Sequence, residues 1–164
     1  MSSSPANPAD PYLKTKVMTA SSAQLRQMLF DGAIKFAQQA KSGLADNNHE
    51  AAYEGISRCQ QILIELITSL RPEIAPELCS NLSSLYTFLY TRLIDASRKR
   101  DPAIVGEVID LLQYERETWS LLLERLAQEN AAAGGLANIP DAAPPETRPQ
   151  RPTGLIGATV SVKG

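Results

Sequence analysis

Apolar residues recur every three to four positions along several long stretches of the chain, which is the spacing of helices that bury one face. The stretch "SNLSSLYTFLYTRLIDASRKRDP", residues 80–102, shows this pattern most clearly. Its leucines form one stripe, and neighbouring tyrosines and an isoleucine widen the stripe to an arc of about 180°, whereas a core-facing surface helix needs only somewhat more than ~100°. We therefore expect this helix to be covered on two sides.

Prolines divide the chain into segments that can and cannot be helical. The 11 prolines lie at 5, 8 and 11, at 72 and 76, at 102, and at 140, 144, 145, 149 and 152. A proline removes a backbone donor and clashes with the preceding turn, so helix interiors must fall between these positions. The long first interval divides at "KSGLADNNH", where Gly43 is predicted to end a helix. Combined with the apolar periodicity, this predicts four helices, running from about Ser21 to Lys41, Asn48 to Leu70, Pro76 to Arg98, and Pro102 to at least Leu126.

Two of the predicted helices begin with clear N-terminal signals. Ser21 and Gln24 have the spacing of a capping box. Asp101 precedes Pro102, and proline suits the first helical position because its missing N–H would be unpaired there. Long helices joined by short turns pack antiparallel, so the predicted fold is all-α, an antiparallel up-and-down four-helix bundle over residues 12–130. Residues 1–11 and 131–164 are rich in proline and small residues and are predicted to be disordered tails.

Composition and charge narrow the class of protein. A chain of 164 residues can bury one core without help from disulfides or metals. Its net charge is −2 and its basic residues are scattered, so no surface resembles a nucleic-acid site. The sequence lacks a signal-peptide pattern and any apolar run near the ~18 residues of a membrane span, so we expect a cytosolic protein without membrane insertion. Cys59 and Cys79 match no metal pattern and are expected to be buried, reduced thiols.

The sequence offers little material for catalysis. A di-iron bundle needs a Glu-x-x-His pair on each of two helices. The chain has 1 histidine, His49, which is expected to be solvated at a helix start. No set of nucleophile, base and orienting group can be assembled around it. We therefore expect neither an enzyme nor a bound cofactor or metal.

Several predicted helices carry apolar side chains outside the stripe that faces the core. They lie at positions where a helix of a four-helix bundle should be polar. Large exposed apolar patches mark partner sites, and a groove between helices suits an amphipathic helical ligand. We assign to a partner-facing rim Ile64, Tyr86, Tyr90, Ile94, Ile104 and Leu111. We assign to the core, in contrast, Leu85, Leu89, Trp119 and Leu122. The same surplus surface would also suit symmetric self-association, so a homo-oligomer with a structural or regulatory role remains an alternative.

Two stretches of the sequence match a known pattern. They are "TASSAQLRQMLFDGAIKFAQQA", residues 19–40, and "NLSSLYTFLYTRLIDASRKRDPAIVGEVIDLLQYERETW", residues 81–119. They resemble the first helix, and the third helix, turn and fourth helix, of the flagellin-specific export chaperones, the FliS family. Ser22 stands where that family usually has proline, and Glu115 where it usually has an aliphatic residue. Glu115 is expected either to pair with a tyrosine hydroxyl near Tyr86 or to meet a charge on a partner.

The resemblance implies a function and a partner. Members of this family bind the disordered C-terminal region of flagellin as helices laid along their own apolar surface, which blocks premature polymerisation in the cytosol and requires no ATP. Folding on binding lowers the affinity per unit area but allows a large surface to be wrapped. The resemblance therefore implies flagellin as the main partner, the flagellar type III export apparatus as a further one, and a chaperone that is a monomer or weak dimer.

The segment before the first predicted helix, "PYLKTKVMTAS", is unusually apolar for a loop. Pro11 is expected to keep the chain extended, which leaves Tyr12, Leu13 and Val17 without a helix of their own. One interpretation is a staple, in which Val17 or the methionine after it packs near Leu25 and fixes the start of the helix. The resemblance favours a second interpretation, in which Tyr12, Leu13 and Val17 form a lid over the apolar surface until flagellin displaces it.

Overall fold

The computed structural model describes the backbone of residues 9–137 and the side chains of residues 11–134. All regular structure in this part of the chain is helical: α1 (Ala9–Thr19), α2 (Ser22–Ala45), α3 (His49–Thr68), α4 (Pro76–Lys99) and α5 (Pro102–Ala137). The all-α class is thus confirmed for the described residues, with α2 to α5 corresponding to the predicted helices. The antiparallel up-and-down order stays a prediction.

Helix α1 was not expected, and the prediction of an extended segment after Pro11 is wrong. Pro11 lies in the first turn of α1, where the backbone N–H that proline lacks would have no intrahelical partner. The hydroxyl Oγ1 of Thr15 donates to the carbonyl of Pro11 at 2.9 Å, and Oγ1 of Thr19 donates to the carbonyl of Thr15 at 3.0 Å. Helix α1 ends at Thr19, and Ala20 alone separates it from Ser21, the N-cap of α2.

Both predicted helix-start signals are confirmed. At α2 the backbone N–H of Gln24 donates to Ser21 Oγ at 3.2 Å, and the N–H of Ser21 donates to Gln24 Oε1 at 2.9 Å, which completes the capping box. At α5 the N–H of Ala103 donates to Asp101 Oδ1 at 2.9 Å, so that the bond joins the residue before Pro102 to the residue after it. These bonds satisfy donors that helix geometry would otherwise leave unpaired.

The turn between α2 and α3 differs from the prediction that Gly43 ends the helix. Helix α2 continues past Gly43, and the chain reverses at Asn47, whose φ is 54°. A Cβ atom on Gly43 would lie 2.5 Å from the backbone N of Ala52, and one on Gly55 would lie 2.6 Å from the backbone N of Ala40. Both glycines are therefore needed because the α2 and α3 backbones approach each other closely, with no room for a side chain.

One apolar core is built by α2, α3, α4 and α5. Its largest fully buried side chain is Tyr86, whose ring is tilted against that of Phe30 with centroids 6.4 Å apart. No polar or charged side chain is buried among the described residues, apart from the hydroxyl of this tyrosine. Of the predicted core residues, Leu89 is fully buried and Leu85 and Trp119 are partly buried against the core.

Polar contacts tie α5 to its neighbours around this core. Arg116 forms an ion pair with Asp31 of α2, and the side-chain amide of Gln27 donates to Ser120 Oγ at 3.0 Å. Near the start of α5, Glu107 forms an ion pair with Arg92 of α4. These exposed pairs contribute little stability individually, so the packing of apolar side chains dominates.

The chain divides into two compact units, Met1–Arg125 and Leu126–Gly164. The first unit holds the core. In the second, α5 continues to Ala137, beyond the domain boundary predicted at residue 130. The predictions of disorder for 1–8 and 138–164 fall outside the described residues. None of the described helices is both long and apolar enough to cross a membrane.

Candidate functional site

An open groove of about 400 Å³ lies between α2, the α3–α4 connection, the start of α4 and the middle of α5. Its lining is mainly apolar and includes Leu70, Ile74, Leu78, Leu82, Trp119 and Leu122. We refer to it below as the apolar groove. Ile74 is 74% exposed, Leu78 58% and Leu122 44%, so a large apolar surface faces outward here. A surface of this kind marks a site for a partner.

The assignment of Leu122 to the core is wrong. The groove opens beside this part of α5, so Leu122 forms part of its wall and no described helix covers it. Ile74 was missed by the sequence analysis, although an apolar residue between Pro72 and Pro76 was a usable signal. Leu78, at the start of α4, also lies on the groove wall.

Trp119 is held in one orientation at the side of the groove. Its indole Nε1–H donates to the backbone carbonyl of Ala23 at 3.1 Å. The guanidinium carbon of Arg26 lies 5.4 Å from the centre of the Trp119 ring, within the range of a cation–π interaction. Arg26 Nη2 donates in turn to Ser69 Oγ at 2.9 Å. The three contacts connect α5, α2 and the α3–α4 connection, so this wall is preformed.

Tyr86 and Glu115 supply polar atoms to the otherwise apolar lining. Tyr86 is only 1% exposed, and this burial raises the pKa of its hydroxyl to about 12; the Arg26 charge lowers the pKa in part and the Glu115 charge raises it. Desolvation also raises the pKa of the Glu115 carboxyl above its usual value. None of the ion pairs among the described side chains includes Glu115.

The structure divides the predicted rim into exposed and buried members. Ile64 of α3 and Ile94 of α4 are 47% and 48% exposed, and Tyr90 is partly buried, with its backbone carbonyl accepting a hydrogen bond from Gln60 at 3.4 Å. Tyr86 and Ile104 lie in the core instead. Their burial was not predicted, because the flank of an apolar stripe is buried wherever a second helix packs against it; whether they contact a partner stays a prediction, and Tyr86 also lines the apolar groove.

Leu111, the remaining rim residue, is partly buried against the core. Phe88, which lies between Tyr86 and Tyr90 in sequence, and Tyr53 of α3 are also exposed apolar side chains, and neither was assigned to the rim. Phe88 is 51% exposed, which makes α4 apolar on its outer face as well as toward the core.

Helix α1 presents its apolar side chains to solvent. Tyr12, Leu13 and Val17 are all exposed, and among residues 11–19 of α1 no side chain lines the apolar groove. The end of α1 instead contributes Lys16 and Thr19 to a separate, polar cavity beside α2. The lid and the staple therefore remain predictions about this segment.

The described residues form an all-α protein with an open apolar groove, and comparisons with known proteins identify its family. The family described as "Flagellar protein FliS" matches residues 5–126. Since this is most of the sequence, the chain belongs to the FliS family of flagellar secretion chaperones, as the resemblance indicated.

Individual relatives agree with this assignment. The chain is 28% identical over 131 residues to the flagellar secretion chaperone FliS of Bacillus subtilis (strain 168), covering 80% of this chain and 97% of the relative. It is 34% identical over 120 residues to the flagellar secretion chaperone FliS of Escherichia coli (strain K12), covering 71% and 88%. A solved structure titled as a flagellar chaperone from bacteria has the same fold, with a TM-score of 0.60, 18% identity, and coverage of 71% of this chain and 94% of that one.

Proposed function

We propose that this protein is a cytosolic export chaperone that binds the C-terminal region of flagellin in the apolar groove. The observation that carries the proposal is the outward-facing apolar lining of that groove in a member of a family of flagellar secretion chaperones. An amphipathic helix is the ligand that such a groove between helices accommodates best. The exposed rim residues Ile64 and Ile94 would extend the contact along α3 and α4.

The chaperone would act by covering apolar surface and by no chemical step. Flagellin side chains that would otherwise drive polymerisation pack into the groove, and the bound subunit stays competent for the flagellar export apparatus. Burying an exposed leucine or isoleucine contributes about 1.5–3 kcal/mol. Contacts to Ile74, Leu78 and Leu122 therefore offset much of the cost of ordering a disordered client. Neither a cofactor nor an enzymatic activity enters this mechanism.

The one tryptophan of the chain, Trp119, gives a direct test because it lines the groove. A tryptophan-free peptide with the C-terminal sequence of the host's flagellin is titrated into the protein, and the Trp119 emission is followed. We expect a saturable change in emission. In Leu78→Glu we expect an affinity at least tenfold weaker, since a charge then faces the apolar partner; tenfold corresponds to about 1.4 kcal/mol.

The matched control for this test is Tyr53→Glu. Tyr53 is 74% exposed and does not line the groove, so the substitution adds the same charge elsewhere on the surface. We expect Tyr53→Glu to bind the peptide like the unaltered protein. Equal losses in both variants, or none in either, would contradict binding in the groove.

Self-association is a second candidate function, favoured by the exposed Phe88 and Ile94 on the outer face of α4. Light scattering over a concentration series distinguishes the two. A chaperone remains a monomer or weak dimer until the flagellin peptide is added. A structural homo-oligomer reaches a fixed larger mass without the peptide.

A further inference from the structure

Glu115 is the only acidic side chain among the residues that line the apolar groove in the described part of the chain. It lies on α5 one turn from Trp119 and two turns from Leu122, so all three face the same side of the helix. The groove therefore presents a carboxylate in line with two apolar contact points. A ligand with only apolar side chains would supply no partner for this charge.

Neither of the two arginines that line the groove, Arg26 and Arg71, forms an ion pair with Glu115. Arg26 donates to Ser69 and lies over the Trp119 ring, and it forms no ion pair within 4.0 Å with any acidic side chain of residues 11–134. The other arginine of the lining, Arg71, lies at the α3–α4 connection and is exposed to water. Closing the groove with an apolar ligand would remove water from the Glu115 carboxylate without supplying a partner, which costs free energy.

We propose that Glu115 makes the groove selective for a client helix that carries a lysine or arginine among its apolar contact residues. The inference deepens the proposed function, on which it rests for the identity of the client. A basic side chain in this place would pair with the carboxylate while its methylene stem packs along the apolar wall. Because one helical turn separates Glu115 from Trp119, the basic residue should lie about one turn, ~5.4 Å, from the apolar residue that contacts the indole.

The first experiment is a double-mutant cycle between the chaperone and the flagellin peptide. Each lysine and arginine of the peptide is replaced by glutamine in turn, and each peptide is measured against the unaltered protein and Glu115→Gln. We expect Glu115→Gln to weaken binding of the unaltered peptide by about 10- to 100-fold, the range for a bond to a charged group. At one lysine or arginine of the peptide, replacement by glutamine should weaken binding to the unaltered protein by a similar factor. The same replacement should have little effect on binding to Glu115→Gln.

The control for Glu115→Gln is Glu117→Gln, which removes the same charge from an exposed position of α5 outside the groove. We expect Glu117→Gln to leave the affinity unchanged, and circular dichroism to show native helicity in both variants. The inference is wrong if Glu115→Gln binds the peptide as tightly as the unaltered protein or more tightly. It is also wrong if every basic substitution costs the same with and without Glu115.

The second experiment separates this inference from the choice of flagellin as client. Two designed amphipathic peptides with the same leucine positions are compared, one with lysine and one with glutamate a turn from the leucine meant for Trp119. We expect the lysine peptide to bind at least tenfold tighter, and Glu115→Gln to abolish the difference. If this holds while flagellin fails to bind, the proposed function is wrong and the selectivity stands. If flagellin binds but Glu115→Gln changes the affinity for neither the flagellin peptides nor the designed peptides, the proposed selectivity is wrong and the proposed function stands.

Discussion

The Tyr86 hydroxyl shows how a single polar atom is accommodated at the boundary of core and groove. Its ring fills the core against Phe30, while its oxygen lies where the charges of Arg26 and Glu115 act on it. The pKa is raised from 10.0 to about 12, chiefly because burial disfavours the phenolate. The folded protein therefore holds this proton more tightly than the unfolded chain does.

This shift predicts a loss of stability in alkaline solution that depends on Tyr86. Between pH 10 and about 12 the unfolded chain releases the proton while the folded protein keeps it, so the free energy of unfolding falls as pH rises. In Tyr86→Phe we expect a shallower fall, by an amount on the order of 2 kcal/mol. Urea unfolding of both proteins at a series of pH values measures this difference. Burial also raises the pKa of Cys59 to about 12, but this thiol affects the pH dependence of both proteins equally. If the free energy of unfolding falls equally with pH in the two proteins, the Tyr86 hydroxyl is solvated and the prediction is wrong.

At the scale of elements, the close contact of α2 and α3 depends on glycine. A Cβ atom on Gly55 would lie 2.6 Å from two backbone atoms, the N of Ala40 and the O of Phe36, which cannot move aside as a side chain can. We expect Gly55→Ala to lower the free energy of unfolding by about 1–3 kcal/mol, as overpacking usually does. Chemical denaturation measures the change.

Gly106 provides the control for this substitution. A Cβ there would meet only the flexible side chain of Lys41, whose Nζ is 3.4 Å away. Because alanine also favours helix more than glycine does, we expect Gly106→Ala to be neutral or to stabilise by up to ~1 kcal/mol. Similar losses at both positions would contradict the argument that contact between the two backbones is what requires Gly55.

Helix α1 is the element whose role is still a prediction. It exposes Tyr12, Leu13 and Val17, and it is joined to the cap of α2 by a single residue outside either element, Ala20. If these side chains cover the groove in the free protein, deletion of residues 1–16 should increase both the rate of flagellin binding and the binding of a dye for apolar surface. Weaker flagellin binding without new apolar surface would show that the segment is a staple or part of the site.

At the scale of the whole molecule, proline-rich sequence on both sides of the helices predicts removable ends. The sequence placed the end of the chaperone domain near residue 130, whereas α5 extends to Ala137. Brief proteolysis should therefore trim the chain after residue 137 and leave a stable helical fragment, identified by its mass. A chain that resists cleavage throughout would contradict the prediction of a disordered C-terminal tail.

Helix positions and capping were predictable because they depend on residues near each other in sequence. Ser21 with Gln24, and Asp101 with Pro102, are examples. Exposure of apolar side chains was less predictable, because the same stripe is buried or open according to what packs against it. For this reason Tyr86, which was assigned to the rim, is buried, whereas Leu122, which was assigned to the core, is 44% exposed; both line the apolar groove. The groove itself combines residues from several elements, which no local pattern reveals.

The central claim is that flagellin occupies the apolar groove, and the two cysteines test it within one molecule. Cys79 is partly buried and lines the groove, whereas Cys59 is fully buried with its pKa raised to about 12. Only thiolates react readily with iodoacetamide, so near neutral pH Cys79 should react and Cys59 should not. The rate at Cys79 is measured by mass spectrometry with and without the flagellin peptide, while anisotropy of a labelled peptide reports binding independently. We expect saturating peptide to slow alkylation of Cys79 at least tenfold and to leave Cys59 unreactive; a bound peptide that leaves the Cys79 rate unchanged would contradict the claim.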